Sequence, residues 1–295
     1  MIQVVLGVFD SGLGGLTILG EIHRVLPELD TLYLGDNARA PYGDDDRDTI
    51  HRHAWEGVRF LLDAGCPLVI VACNTAAAQA LRRIQRENLP RHASDRRVLG
   101  VIRPSAEIIA GMMHGGHIGV IGTAATVAAG AYTREFEKTP RPLRVTEVAA
   151  PDIALLVESG MTDESILEDA VRGALSELLA RDPAVDTVLL GCTHFPWILP
   201  VFRRVFPPRI ALVTQGPLVA EKLSDYLRRH PEISARLSRQ KQRRYLTTGD
   251  PTEISTLAST LMKTNVRFEL ARLVQAAPVT SQVLTQASDA AAASH

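Results

Sequence analysis

Two cysteines occupy matching places in the 295-residue sequence. Cys73 closes the run Pro67-Leu68-Val69-Ile70-Val71-Ala72 and is followed by Asn74-Thr75; Cys192 closes Asp186-Thr187-Val188-Leu189-Leu190-Gly191 and is followed by Thr193-His194. A thiol with an ordinary pKa of ~8.5 acts as a base when ionised and as an acid when protonated, and both forms are accessible near neutral pH. A pair of them on opposite faces of one carbon can remove its proton from one side and return a proton to the other. A single fixed base completes that inversion poorly. Each sulfur must come within roughly 3 to 3.5 Å of the carbon, so the two need separate strands and separate domains.

The elements around the cysteines suit that task. Short apolar runs ending in small polar residues are expected to be parallel strands buried on both faces, which deliver Cys73 and Cys192 to the carboxyl ends of sheets, where open α/β folds bind ligands. Further strands are expected at Val4 to Phe9, Thr31 to Leu34, Val98 to Ile102, His117 to Ile121, Leu143 to Val148, Ile210 to Val213, Arg244 to Thr247 and Val266 to Glu269. Helical patterns lie between them: Leu19, Ile22 and Leu26; Trp55, Val58, Leu61 and Leu62; and Leu167, Val171, Ala174 and Leu178 within Asp163 to Arg181. Asn74 or Thr75 is placed to cap the helix after the first cysteine. Asn37 to Asp46 has turn chemistry and no apolar period, so it reads as a long loop at the same edge. The first half runs from a strand through Asp10-Ser11-Gly12 to Cys73, and the second from a strand through Gly122-Thr123 to Cys192. This echo suggests two α/β units related by pseudo-two-fold symmetry around a shared cleft.

Composition limits the alternatives. The hydrophobic fraction is 46% and formal net charge is −1, with basic and acidic residues interspersed, so neither nucleic acid nor an anionic membrane is an expected partner. Three cysteines without paired spacing argue against a disulfide framework and for a reducing compartment. No basic-flanked leader opens the chain and no stretch reaches ~18 apolar residues, so a cytoplasmic protein is expected. From about Ala276 the chain turns to alanine, serine, threonine and glutamine, and 276–295 is expected to be a disordered tail.

Four segments carry a family resemblance: Gly7 to Thr17 (GVFDSGLGGLT), Tyr33 to Gly43 (YLGDNARAPYG), Ala72 to Ala76 (ACNTA) and Leu190 to Pro196 (LGCTHFP). In this order they resemble the signature segments of glutamate racemase, within the aspartate/glutamate racemase superfamily. Weaker likeness at Gly100 to Ile102, Ile121 to Thr123, Leu156 to Glu158 and Thr247 to Asp250 extends it from about residue 4 to 270. The resemblance implies cofactor-independent interconversion of L- and D-glutamate, the D form feeding bacterial peptidoglycan. It also implies two doubly wound parallel-sheet α/β domains, 1–98 plus 212–270 and 99–211, with the active site between them, and a homodimer. By resemblance Asp10 lies beside Cys73 and His194 beside Cys192 as assistants to proton transfer, and Cys73 serves D-glutamate while Cys192 serves L-glutamate. An anionic Asp10 would raise the pKa of Cys73, and it can pair with the substrate ammonium. Ser11, Tyr42, Gly43, Asn74, Thr75, Thr193 and His194 surround the small-molecule substrate, their N–H and hydroxyl groups supplying donors for its two carboxylates.

The chain also departs from the commoner family pattern. Ala150 stands where a cysteine is frequent, Thr214-Gln215 where an Asp-Ser pair is frequent, and Arg103 where an acidic or neutral residue is frequent.

Other readings compete. Gly12-Leu13-Gly14 with Asp36 some twenty residues on partly mimics a dinucleotide fingerprint, but Thr17 fills the third glycine position and Asp10 would face the pyrophosphate. Cys192 with His194 lacks the second spaced pair that zinc requires, so no metal is expected. A two-domain amino-acid sensor would bind without exchanging the α-proton, and a racemase of aspartate would share the cleft. Cys66 reads as an inert core thiol, Asp44-Asp45-Asp46 as a solvated face and Thr162-Asp163 as a helix cap. Asp36 reads as the close of a strand, and Glu158 as a surface residue.

Overall fold

The computed structural model describes residues 4–113, 116–140, 143–161 and 163–274, and the expected tail at 276–295 lies outside them. Among the described residues ten strands alternate with helices: β1 (Leu6–Asp10), β2 (Thr31–Gly35), β3 (Leu68–Val71), β4 (Arg97–Gly100), β5 (His117–Gly122), β6 (Arg144–Ala149), β7 (Thr187–Leu190), β8 (Ala211–Thr214), β9 (Arg243–Thr247) and β10 (Phe268–Leu270). They form two sheets, ordered β10-β9-β2-β1-β3-β4 and β6-β5-β7-β8. Every pairing is parallel. The chain therefore has the expected two parallel-sheet α/β units.

The internal echo is visible in the topology. The order β2-β1-β3-β4 recurs as β6-β5-β7-β8, so β1 corresponds to β5 and β3 to β7. In each unit the second strand goes to one side of the first and the third to the other, which leaves a switch point between β1 and β3 and another between β5 and β7. Such points open a crevice at the carboxyl edge. Asp10 and Cys73 stand at the first, Gly122-Thr123 and Cys192 at the second.

Strand pairing departs from the expected boundaries in detail. β8 pairs Ala211–Thr214 with β7, carrying the second sheet past residue 211, and β4 pairs with β3 through Gly100. The strand expected to reach Ile102 stops there because Ile102 opens the helix Ile102–Met112, which crosses to the second unit. The loop 37–46 is wound into two 3₁₀ turns, Asn37–Arg39 and Tyr42–Asp44.

Local chemistry accounts for the helix starts. Asp46, Asp163 and Asp250 each accept backbone N–H bonds at helix N-termini, and Thr123 caps the helix after β5. The expected stripe Leu167, Val171, Ala174 and Leu178 is the buried face of the helix Glu164–Arg181. One expectation is corrected: neither Asn74 nor Thr75 caps the helix Asn74–Gln79. Cys73 holds the N-cap position, and its Sγ accepts from Ala76 N at 3.4 Å. The first core runs without a break from β1 and β3 through Tyr132 and Phe136 to Ile118, Val120 and Leu189 of the second sheet. Among the described residues no helix is long and apolar enough to cross a membrane.

Candidate active site

Cys73 and Cys192 are each 5% exposed, and each is held by a polar neighbour. Ser11 Oγ lies 3.3 Å from Cys73 Sγ, and His194 Nδ1 lies 3.5 Å from Cys192 Sγ. Fully buried Asp10 links the two sides: its Oδ1 accepts from Gly12 N at 2.9 Å and its Oδ2 from Thr193 Oγ1 at 3.4 Å. The path Cys73, Ser11, Asp10, Thr193, Cys192 thus runs through neighbours in sequence and in space. A cavity of about 1060 Å³ elsewhere, lined by Ala77, Ile102, Arg134, Glu135 and Lys222 among others, touches none of these residues.

The glycines of the first turn permit this closeness. A Cβ on Gly14 would stand 2.2 Å from Thr193 Oγ1 and 2.8 Å from His194 Cε1, and one on Gly12 would stand 1.9 Å from Glu158 Oε1. A Cβ on Gly15 would meet Asp10 Cβ at 2.7 Å. These glycines let one unit press its turn into the other, a use unrelated to a pyrophosphate. On the far side, Thr75 Oγ1 lies 2.9 Å from Thr123 Oγ1, so the helix after Cys73 also meets the turn after β5.

Glu158 is the residue missing from the expected site. It ends the helix Pro151–Glu158, and its Oε1 lies 2.8 Å from His194 Nε2 and accepts from Leu13 N at 3.3 Å. Its expected place on the surface is corrected: the side chain keeps only 17% exposure. Asp36 is also fully buried, taking the Tyr42 hydroxyl, the Arg39 guanidinium at 2.8 Å and the Thr248 hydroxyl at 2.7 Å. The Tyr42 hydroxyl is therefore committed to Asp36, leaving backbone N–H groups as the donors of Tyr42 and Gly43.

Electrostatics divides the two thiols. Burial, with Asp10 adding to it, pushes the Cys73 thiol up to about 12, although Ser11 and Ala76 N pull it down. Burial pushes the Asp10 carboxyl up to about 6 against the pull of His194. Burial also opposes charge on His194, but Glu158 outweighs it and, with Cys192, raises the imidazole well above its usual value. Burial works against charge on Glu158 as well, and His194 prevails, holding that carboxyl below its usual range. A cationic His194 donates from both ring nitrogens, one to Cys192 and one to Glu158.

Two cysteines follow equivalent strands, one near an aspartate and the other beside a histidine that Glu158 keeps cationic against burial, so each has a polar group able to tune proton transfer. A family model described as Asp/Glu/Hydantoin racemase matches residues 16–223. The chain belongs to the Asp/Glu/Hydantoin racemase family. The glutamate racemase of Paracoccus denitrificans is 41% identical over 275 residues, spanning 90% of this chain and 99% of that protein. Glutamate racemase isoform RacE1 from Bacillus anthracis aligns with a TM-score of 0.83 at 32% identity, over 92% of this chain and 99% of that one. The Francisella tularensis glutamate racemase solved with D-glutamate aligns with a TM-score of 0.79 at 26% identity, over 93% and 99%. In this member of the racemase family, Asp10, Ser11, Cys73, Cys192, Thr193 and His194 gather at one place, and Tyr42, Gly43, Asn74 and Thr75 border it. Gly43 sits against Thr123, where an added Cβ would lie 3.6 Å from the threonine Cβ.

Proposed function

We propose that this chain interconverts L- and D-glutamate by a two-base mechanism with Cys73 and Cys192 as the proton carriers. The observation that supports it is the path from Cys73 through Ser11, Asp10 and Thr193 to Cys192, made of two hydrogen bonds and two pairs of sequence neighbours, which joins the two switch points. Relatives named glutamate racemase over nearly the whole chain support glutamate as the substrate.

Each group has a role that follows from its surroundings. The thiolate form of Cys73 is opposed by burial and by Asp10. A substrate ammonium paired with Asp10 cancels that charge and makes the thiolate accessible when a proton is to be taken. Ser11 Oγ and Ala76 N, already on the sulfur, then stabilise its negative charge. Cys192 faces the His194–Glu158 pair, whose positive ring donates to sulfur. Backbone N–H groups of Ser11, Tyr42, Gly43, Asn74, Thr75 and Thr193 hold the two carboxylates, and these fixed donors in a closed site carry the charge of the carbanion-like transition state. The reaction has no redox step, and as in the family it resembles it runs without a cofactor, the fixed donors taking the place of an electron sink. Cys73 takes the proton of D-glutamate and Cys192 that of L-glutamate.

The wider assignments follow the family: domains close to the expected 1–98 with 212–270 and 99–211, the second keeping β8 through Thr214, a homodimer in the cytoplasm, and D-glutamate delivered to peptidoglycan synthesis. The test is α-deuterium incorporation from deuterated water into each glutamate enantiomer, with wild type, Cys73→Ala and Cys192→Ala. Wild type exchanges and inverts both enantiomers. Each variant loses full turnover by about 10³-fold or more while keeping its circular dichroism. Turnover that survives either substitution rejects the two-thiol mechanism, and binding without exchange by wild type points to a sensor instead.

A further inference from the structure

Both places where the chain passes between the two units meet in one buried hydrogen-bond ring. The helix Ile102–Met112 carries the chain from β4 toward β5, and the helix Gln215–Arg229 carries it back from β8 toward β9. Ser105 comes from the first of these helices, and Gln215 is the opening residue of the second. Between them stand Tyr132, from the helix Ala131–Phe136 of the second unit, and Asn74, the residue after Cys73. Ser105, Tyr132, Asn74 and Gln215 are all at most 2% exposed.

The donors run one way around the ring. Asn74 Nδ2 donates to Gln215 Oε1 at 2.6 Å, Gln215 Nε2 donates to Tyr132 OH at 2.6 Å, and Tyr132 OH donates to Asn74 Oδ1 at 2.5 Å. Gln215 Nε2 also donates to Ser105 Oγ at 3.2 Å, and Ser105 Oγ donates to Val101 O at 2.7 Å. Reversing the Asn74 amide would set Oδ1 against Gln215 Oε1, and reversing the Gln215 amide would set N–H against N–H, so each side chain fixes its neighbour's orientation. Chains of this kind strengthen one another in a low-dielectric interior.

We propose that Gln215 is a positioning residue for Cys73: the ring it closes fixes the Asn74 side chain, and with it the first turn of the helix whose N-cap sulfur does the chemistry, to the state of both crossovers. The inference rests on the racemase reading for its kinetics but not for its thiol readout. Opening the ring frees the Asn74 end of the helix Asn74–Gln79 and alters the bond from Ala76 N to Cys73 Sγ. Cys192 follows another strand and is held by His194; of the ring members Tyr132 comes nearest to it, its ring edge standing against Gly191, while Gln215 and Asn74 bond to each other on the Cys73 side.

The test compares alkylation of each thiol by iodoacetamide, using Cys192→Ser to isolate Cys73 and Cys73→Ser to isolate Cys192, both with Cys66→Ala. Gln215→Leu is expected to change the Cys73 rate by more than about threefold, because alkylation follows thiolate fraction and access. The Cys192 rate stays within about twofold. In the intact enzyme the same substitution lowers kcat roughly 10- to 100-fold with a smaller change in KM, as misplacement of a reacting group does. Tyr132→Phe opens the ring by removing a single hydroxyl and leaves the aromatic ring against Gly191, so its Cys73 rate, expected to change by more than about threefold, carries the test if Gln215→Leu does not fold. Gln215→Glu gives a rescue: its protonated form still accepts from Asn74 and donates to Tyr132, so activity relative to wild type returns as pH falls. Equal changes at both thiols, or an unchanged Cys73 rate with kcat within twofold of wild type, overturn the proposal. Those outcomes are separable from failure of the racemase reading, which wild-type exchange alone decides.

Discussion

Glu158 Oε1 lies 2.8 Å from His194 Nε2, although helix and loop bring the two residues from different parts of the second unit. The carboxylate keeps the imidazole positive in a place where burial alone would strip its proton. The opposite ring nitrogen is thereby committed as a donor to Cys192.

Glu158→Gln removes that support without removing the hydrogen bond. The His194 pKa falls, since Cys192 alone then opposes burial. Proton inventory at Cys192 suffers above the new pKa, and kcat is expected to drop about 10²-fold near pH 8, with a smaller loss at lower pH. Nitrogen-15 NMR titration of His194 with a kcat–pH profile checks it: an unshifted ring titration contradicts the assignment.

Asp10 is expected to weaken the protein that it serves. Its folded pKa of about 6 lies above the ordinary 3.8, so its contribution to stability is fully present below pH 3.8 and lost as pH rises through about 6. At pH 8 the ionised carboxylate costs on the order of 3 kcal/mol, at ~1.4 kcal/mol per pH unit. Asp10→Asn should melt higher than wild type at pH 8, with the gap closing as pH falls from 6 toward 4, and should be nearly inactive. Melts of both proteins across that range decide it.

Gly14→Ala sets a methyl group against Thr193 and His194. Overpacking of this sort costs about 1 to 3 kcal/mol. The units can relieve it by standing apart, so the fold survives while closure suffers, and kcat/KM falls roughly 5- to 150-fold. Unchanged kinetics would mean that the turn need not press this closely during turnover.

Substrate charge is expected to ionise Cys73. In a variant carrying Cys66→Ala and Cys192→Ser, thiolate absorbance should be absent at pH 8 without ligand, because burial and Asp10 hold the thiol protonated. D-Glutamate should produce it, and glutarate, which has both carboxylates and no ammonium, should not. Equal signals from the two ligands would remove the ammonium from the mechanism.

The strand-end placement of both candidate thiols was legible in the sequence because each follows an uninterrupted apolar run, a pattern that directs a residue to the carboxyl edge of a parallel sheet. The paired strand orders follow from the same alternation. Glu158 escaped because a glutamate at a helix end is usually solvated. A signal existed, since it lies four residues after buried Ala154 on the same helix, on the face that turns inward. Asp36 escaped for a related reason: its burial depends on Arg39, Tyr42 and Thr248, and the last comes from a strand end more than two hundred residues away. Cys73 as an N-cap was invisible because sulfur is a weak acceptor and the neighbouring Asn74 and Thr75 are the usual cap residues. The ring through Gln215 needs three distant helices, and no local pattern encodes it.

The pairing of β2 with β9 bears on how the protein is made. Thr31 to Gly35 finds its partner in Arg243 to Thr247, so as a nascent chain leaves the ribosome β2 remains an open edge while the entire β5 to β8 sheet is synthesised. The unit begun first is the one finished last. The intervening unit, contiguous in sequence, can close its sheet before the earlier strands obtain theirs, and the exposed β2 edge is the point at which a folding helper would have the most to protect.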